Sequence, residues 1–160
     1  MSDFDRLDLR LLVLLDDDPR ATVLDLAQRL GVARNTVHHR LSRLAGRDML
    51  RPVRRQTALA ALGFEVTAYV SIAVAQGRFH DVVAGVAGFA QVLECYATTG
   101  RDDLVARVVA RSTGDLHELI QELLHVPGVL HTTTSVAVAE VIPYRVQPLL
   151  ERLVEQVPGG

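Results

Sequence analysis

Hydrophobic positions recur at helical spacing through the first third of the chain and then change period. Phe4, Leu7, Leu11, Leu14 and Leu15 fall on one side of a helix, with Asp5, Asp8 and Arg10 between them, which predicts an amphipathic helix from Phe4 to Leu15. The run Asp16, Asp17, Asp18 and Pro19 stops it. Thr22, followed three residues later by Asp25, is a variant of the capping box and predicts a second helix with Leu24, Leu26, Ala27 and Leu30 on its buried face. Gly31 supplies the positive φ wanted at the end of that helix, Val32 anchors a tight turn, and a third helix is expected from Ala33 to Gly46. On this third helix Val37, Leu41 and Leu44 share one side, while Asn35, His38, His39, Ser42 and Arg43 project away from them. One helix, a glycine turn and a second helix with a presented polar face make a helix-turn-helix.

Met49 to Thr57 (MLRPVRRQT) reads as a basic extended wing, with Pro52 suited to an edge strand, and residues 58–63 as a small hinge. Beyond the hinge Val66, Ala68, Val70, Ile72 and Val74 alternate as a strand. A helix over Phe79 to Phe89 follows, in which Gly85 and Gly88 each cost about 1 kcal/mol relative to alanine. Strands Val92 to Thr98 and Leu104 to Arg111 are joined by the tight loop Gly100-Arg101-Asp102-Asp103. Leu116, Leu119, Ile120, Leu123 and Leu124 then mark another helix, stopped by Pro127-Gly128 before a last strand, Val129 to Val141. The order βαββαβ predicts a ferredoxin-like antiparallel sheet with two helices on one face. The tail from Pro143 is amphipathic around Leu149, Leu150, Leu153 and Val154, as a terminal helix would be. The expected fold is therefore α+β: a winged helix-turn-helix domain at 1–57, a hinge at 58–63 and a ferredoxin-like domain at 64–160.

Composition adds class and compartment. A chain of 160 residues, 49% hydrophobic with a net charge of −2, is globular. Two domains this small leave apolar surface to cover, so self-association is expected. Charge is divided unevenly: Arg29 to Arg55 holds eight arginines against one acid, Asp48, a balance of +7, whereas from Ala58 onward six arginines face eleven acids, a balance of −5. A polyanion partner is implied for the first half alone. All 17 basic residues are arginine, which with the excess of Ala and Val reads as a genomic bias. No stretch approaches the roughly 18 apolar residues that span a bilayer, and the start MSDFDRLD is too acidic for a signal peptide, so a cytoplasmic protein is expected. Cys95, the single cysteine, has no partner for a disulfide or a zinc site and is expected in the core. His38 and His39, being adjacent on a helix, point about 100° apart and cannot share an ion, so neither metal nor cofactor is expected. His117 and His125 flank an amphipathic helix and are expected as surface or interface residues. No Ser-His-Asp set, paired catalytic carboxylates or phosphate loop is recognisable, and no enzyme activity is expected.

Two candidate sites remain. A recognition helix enters the major groove with its N-terminal residues on base edges, which makes Arg34 and Asn35 the leading base contacts, since arginine pairs bidentately with guanine and asparagine with adenine. His38 and His39 follow one turn on. Thr36, Ser42 and Arg43, with Arg51, Arg54 and Arg55 of the wing, are expected at phosphates. In the second half, the turn at Gly100, Arg101, Asp102 and Asp103 exposes backbone groups able to grip the ends of an amino acid, with Asp103 accepting from its ammonium. Thr132 and Thr134, on one sheet face, are weaker candidates for lining that site.

The chain resembles the Lrp/AsnC family, the feast/famine transcription regulators, over nearly its whole length. The resemblance is carried by FDRLDLRLLVLLDDDPRATVLDLAQRLGVARNTVHHRLSRLAGRDML, then TTGRDDLVARV and PGVLHTTTSVAVAEV. It implies a DNA-binding regulator whose small effector, an amino acid or related metabolite, binds near the Gly100 loop at an interface between dimers. It also implies dimers formed through the sheets that assemble further, to tetramers or octamers. Two positions depart from the family pattern: Ala33 stands where Ser or Thr caps the recognition helix, and Asp102 where the glycine loop carries an aromatic. The second departure leaves open an effector-independent DNA-organising protein. The haem-pathway decarboxylases share the two-domain plan, but TTGRDDLVARV lacks their aromatics and histidines.

Overall fold

In the computed structural model, which describes residues 4–46 and 59–157, the first unit is built from α1 (Arg6–Asp17), α2 (Val23–Leu30) and α3 (Arg34–Ala45). Leu11, Leu26, Val37 and Leu44 are at most 1% exposed and, with Leu12, Ala27 and Leu30, form its core. Burial of each such side chain contributes roughly 1.5–3 kcal/mol. Hydrophobic spacing located α1 but not its ends. Asp5 is the N-cap, its side chain accepting from Asp8 N–H while the Asp8 side chain accepts from Asp5 N–H, so the helix begins at Arg6 rather than Phe4. The Thr22–Asp25 capping box forms as expected, and Gly31 closes α2 at φ 69°, the left-handed conformation open to glycine without strain. Leu24, expected on the buried face of α2, is 39% exposed. Val23 packs inward in its place, because Val23, Leu26, Ala27 and Leu30 are the set spaced i, i+3, i+4, i+7.

The tail also differs from expectation. Residues Ile142–Gly160 group with Met1–Arg55 and not with the second unit, Gln56–Val141. Helix α6 (Gln147–Gln156) packs along α1 and adds Leu150 to the first core.

The second unit contains β1 (Val66–Val74), α4 (Phe79–Ala87), β2 (Val92–Ala97), β3 (Leu104–Ala110), α5 (Thr113–Leu124) and β4 (Val129–Val136). The strands form one antiparallel sheet in the order β2-β3-β1-β4, the ferredoxin-like arrangement. Ala68, Val70 and Ile72 of β1 and Leu104, Ala106 and Val108 of β3 meet Val82 and Val86 of α4 and Leu116, Leu119 and Leu123 of α5 in the second core. Gly85 lets α4 approach closely: a Cβ there would lie 2.5 Å from Val126 Cγ1. The last strand ends at Val136 and not Val141. Ala137 N–H still reaches Thr67 O at 2.8 Å, but β1 begins at Val66 and offers no further partners. Cys95 is exposed instead of buried; it pairs with the core residue Ala106, but from the edge strand β2. Partial burial pushes its thiol above the ordinary cysteine range.

Candidate nucleic-acid interface and effector loop

Helix α3 presents a sharply divided surface. Val37 and Leu44 are buried and Leu41 packs beside them, while Arg34, Asn35, His38 and His39 are all exposed. None of these four side chains makes a hydrogen bond or ion pair among the described residues. The N-cap Ala33 has no side-chain bond to offer, and the first turn is closed only by its backbone, Thr36 N–H and Val37 N–H donating to Ala33 O at 3.0 and 3.3 Å. Thr36 is half-buried. Ser42 turns its hydroxyl back to donate to His38 O at 3.0 Å.

Arg43, expected at phosphate, faces inward: its Nη2 donates to Asp8, whose side chain is fully buried. Arg40 Nη1 donates to Asp8 Oδ1 at 3.0 Å and also pairs with Asp5. Burial would raise the Asp5 carboxyl, but the Asp8 N–H and the Arg40 guanidinium outweigh it and hold it below the usual carboxylate range. The Asp5 hydrogen bond in turn raises Arg40 above the ordinary arginine value. These pairings were missed because Asp5 and Asp8 read as the polar face of an amphipathic helix, and nothing in their spacing points to a partner 32 to 35 residues away. Arg29 likewise pairs with Asp17 at 3.1 Å. The expected wing, Met49–Thr57, with Arg51, Arg54 and Arg55, lies outside the described residues, as does Ala58 of the hinge; Leu59–Leu62 is a single 3₁₀ turn.

In the second unit the loop from Thr98 to Asp103 closes the β2–β3 hairpin, with Thr98 N–H donating to Asp103 O at 2.9 Å and Gly100 at φ 136°, within the region that favours glycine. It is tied to β1 as well: Asp103 N–H donates to Ile72 O at 3.0 Å, and Val74 N–H to Asp103 Oδ2 at 2.7 Å. Asp103 therefore has a structural partner on one carboxylate oxygen. Asp102 meets His131 Nε2 at 3.2 Å, and Arg101 is exposed. His131 was not anticipated; its only sequence signal is its place next to Thr132. Thr132 and Thr134 stand opposite Ile72 and Val70, so they project toward the helix-covered face, whereas His131, opposite Ala73, projects to the other. The Asp102–His131 contact and the two threonines thus lie on opposite faces of the sheet. Among the described residues no cluster of three or more His, Cys, Asp or Glu could hold a metal ion, and no helix is long and apolar enough to cross a membrane.

A helix-turn-helix that presents four polar side chains without partners among the described residues, in one chain with a four-stranded ferredoxin-like unit, defines a two-unit DNA-binding regulator. Comparison with known proteins gives the family. Residues 4–49 match the winged helix-turn-helix DNA-binding family and residues 67–147 the Lrp/AsnC ligand binding domain. The HTH-type transcriptional regulator AldR of Mycolicibacterium smegmatis is 33% identical over 137 residues, covering 83% of this chain and 80% of its own. Among solved structures, Escherichia coli AsnC is 24% identical with a TM-score of 0.84, over 92% of this chain and all (100%) of its own. The feast or famine regulatory protein of M. tuberculosis, complexed with L-methionine, is 26% identical with a TM-score of 0.80, over 88% of this chain and 96% of its own. The chain belongs to the Lrp/AsnC family and is a DNA-binding transcription regulator.

Proposed function

We propose that this protein reads a particular double-stranded DNA sequence through α3 and that a small amino-acid-like effector, held at the Gly100–Asp103 loop, adjusts that binding. The observation that carries the first part is the set of four exposed side chains, Arg34, Asn35, His38 and His39, without partners among the described residues, on a helix whose opposite side is packed. Arg34 and Asn35 reach base edges, His38 and His39 extend the contact by a turn, and Thr36, Ser42 and the wing arginines set register on phosphates. The effector reading is supported by the hairpin loop with exposed Arg101 and Asp103, and by the L-methionine complex of the M. tuberculosis relative. The protein acts as a homo-oligomer in the cytoplasm, a dimer assembling to a tetramer or octamer, and is not an enzyme. Exposed Tyr69 and Tyr96 support the oligomeric reading: their register puts them on the sheet face away from the helices.

The test is gel-shift titration against the DNA upstream of its own gene and against random DNA, at two salt concentrations, with a panel of amino acids that includes L-methionine. A preferred fragment and an amino acid that shifts its affinity are expected. Equal binding to random DNA refutes sequence-specific regulation; affinity and assembly unchanged by every amino acid refute the sensing half and leave a DNA-organising protein.

A further inference from the structure

We propose that Asp8 is a positioning residue for the recognition helix, and that Arg40 and Arg43 serve DNA binding through Asp8 instead of by touching phosphate. The proposal rests on the reading that α3 enters the groove.

Helix α3 has only two fully buried residues, Val37 and Leu44, and no side-chain cap at its start. Its rotation about its own axis needs another hold. Arg40 and Arg43 are three residues apart, about 60° from one another around the helix, and lie between the exposed face and the packed stripe. Both end on the Asp8 carboxylate, which has no exposure to solvent. That carboxylate is itself fixed, because Asp5 and Asp8 hold one another in the α1 capping box at 3.0 and 3.1 Å. The four charges balance, two acids against two arginines, so the cluster gives little net attraction for a polyanion. Arg43 Nε is buried and has no hydrogen-bond partner among the described residues, so the guanidinium is held by its Nη2 bond to Asp8. To reach a phosphate, Arg43 would have to leave a buried carboxylate with one partner fewer, and a buried charge resists that strongly. The acids of α1 thus set the angle at which Arg34 and Asn35 meet the bases.

The measurement is DNA affinity against salt concentration, for a preferred fragment and for random DNA. With Arg43→Met, affinity for the preferred fragment is expected to fall about tenfold or more, while the slope of log K against log salt stays that of the parent. A slope smaller by about 0.9, the signature of one lost phosphate contact, overturns the proposal. In a double-mutant cycle, the losses of Asp8→Leu and Arg43→Met are expected to be less than multiplicative, since both remove the Arg43–Asp8 pair, while the Arg40–Asp8 bond leaves the double variant weaker than Arg43→Met alone; losses that multiply overturn it. Circular dichroism at the assay temperature checks that each variant is folded. Should Arg43→Met not fold, Asp8→Asn with Arg43→Gln keeps hydrogen-bonding groups without charge and carries the same slope test. Replacing Arg34, Asn35, His38 and His39 together by alanine, on the same fragments, reports separately on the reading of α3: if sequence preference survives it, α3 is not the reader and the positioning proposal falls for that reason, whatever the slope.

Discussion

Replacing Ala33 tests the start of the recognition helix in two directions at once. Ala33 already occupies the N-cap with φ −66° and ψ 147°, the extended backbone that capping side chains use, and it is exposed, so a longer side chain has room. Ala33→Ser supplies an acceptor for the first-turn N–H groups. Because Thr36 and Val37 N–H already reach the Ala33 carbonyl, the chief new bond is to Asn35 N–H. The expected gain is about 0.5–1 kcal/mol, the lower half of the capping range. In a unit of this size that is a rise in melting temperature of about 2–8 °C. Ala33→Asp supplies the same acceptor and a negative charge at the positive end of the helix, worth about 0.3–1 kcal/mol more. The two substitutions part company on DNA. A carboxylate a few ångströms from phosphate costs about 0.5–1 kcal/mol in a water-like dielectric, a two- to fivefold loss of affinity that added salt relieves. Thermal unfolding followed by circular dichroism and fluorescence anisotropy on one DNA fragment at two salt concentrations measure both. If neither variant melts higher, the cap argument is wrong; if Ala33→Asp binds DNA as tightly as Ala33→Ser at low salt, the start of α3 does not face the phosphates.

Gly85→Ala is expected to destabilise the second unit by about 1 kcal/mol in urea titration, since overpacking against Val126 costs roughly 1–3 kcal/mol and helix propensity returns about 1; a more stable variant would deny the close approach. Leu26→Ala, at a site 1% exposed, should cost about 2–5 kcal/mol in the first unit, and a loss under 1 kcal/mol in the same titration would count against the core described. Asp5, hydrogen-bonded to Asp8 N–H and Arg40, titrates below its usual value of 3.8 in the folded state. Its contribution is therefore complete above that value and lost as pH falls through the depressed one, so acid unfolding of the parent should be steeper below about pH 4 than that of Asp5→Asn; equal slopes would contradict the pairing. Asp103→Ala removes the acceptor of Val74 N–H and should cost about 1 kcal/mol and weaken any effector response, whereas Asp103→Asn should be the milder change in stability; the reverse order in denaturant midpoints would show that Val74 does not depend on it.

Regular elements were legible from the chain because periodicity and turn chemistry act locally. The Thr22–Asp25 box, the left-handed Gly31 and the alternation Val66 to Val74 each report a few neighbouring residues, and each stands where its pattern indicated. The failures lie where a distant partner decides. Val129 to Val141 keeps valines at 136, 138 and 141, but a strand lasts only as long as the one beside it, and β1 has begun by Val66. The tail was read correctly as a helix and assigned to the second domain, because amphipathicity states that a face must be covered and not by what; α1 covers it. Thr132 and Thr134 do share a face, as alternation requires, yet which face depends on pairing with Ile72 and Val70, a register visible only in the folded sheet.

The charge count fails in the same way, with a larger consequence for function. A balance of +7 from Arg29 to Arg55 treats every arginine as available to a polyanion. Of the four that lie among the described residues, three, Arg29, Arg40 and Arg43, are paired with Asp17, Asp5 and Asp8, all outside the stretch that was counted. The exposed pair Arg29–Asp17 is the weak kind that phosphate or salt can replace. The Asp8 pairs are different, since their acid is fully buried and its arginines cannot leave without exposing an unpaired charge to a dry site. On the reading proposed above, the side chains of α3 left to meet DNA are those of its first two turns, Arg34, Asn35, His38 and His39, and their aim would depend on residues near the start of the chain that do not touch the nucleic acid. If Asp8 positions α3 as proposed, selectivity in this helix is more sensitive to Asp8 than a tally of positive charge indicates, and a substitution there that leaves the basic count untouched would alter which sequence is read.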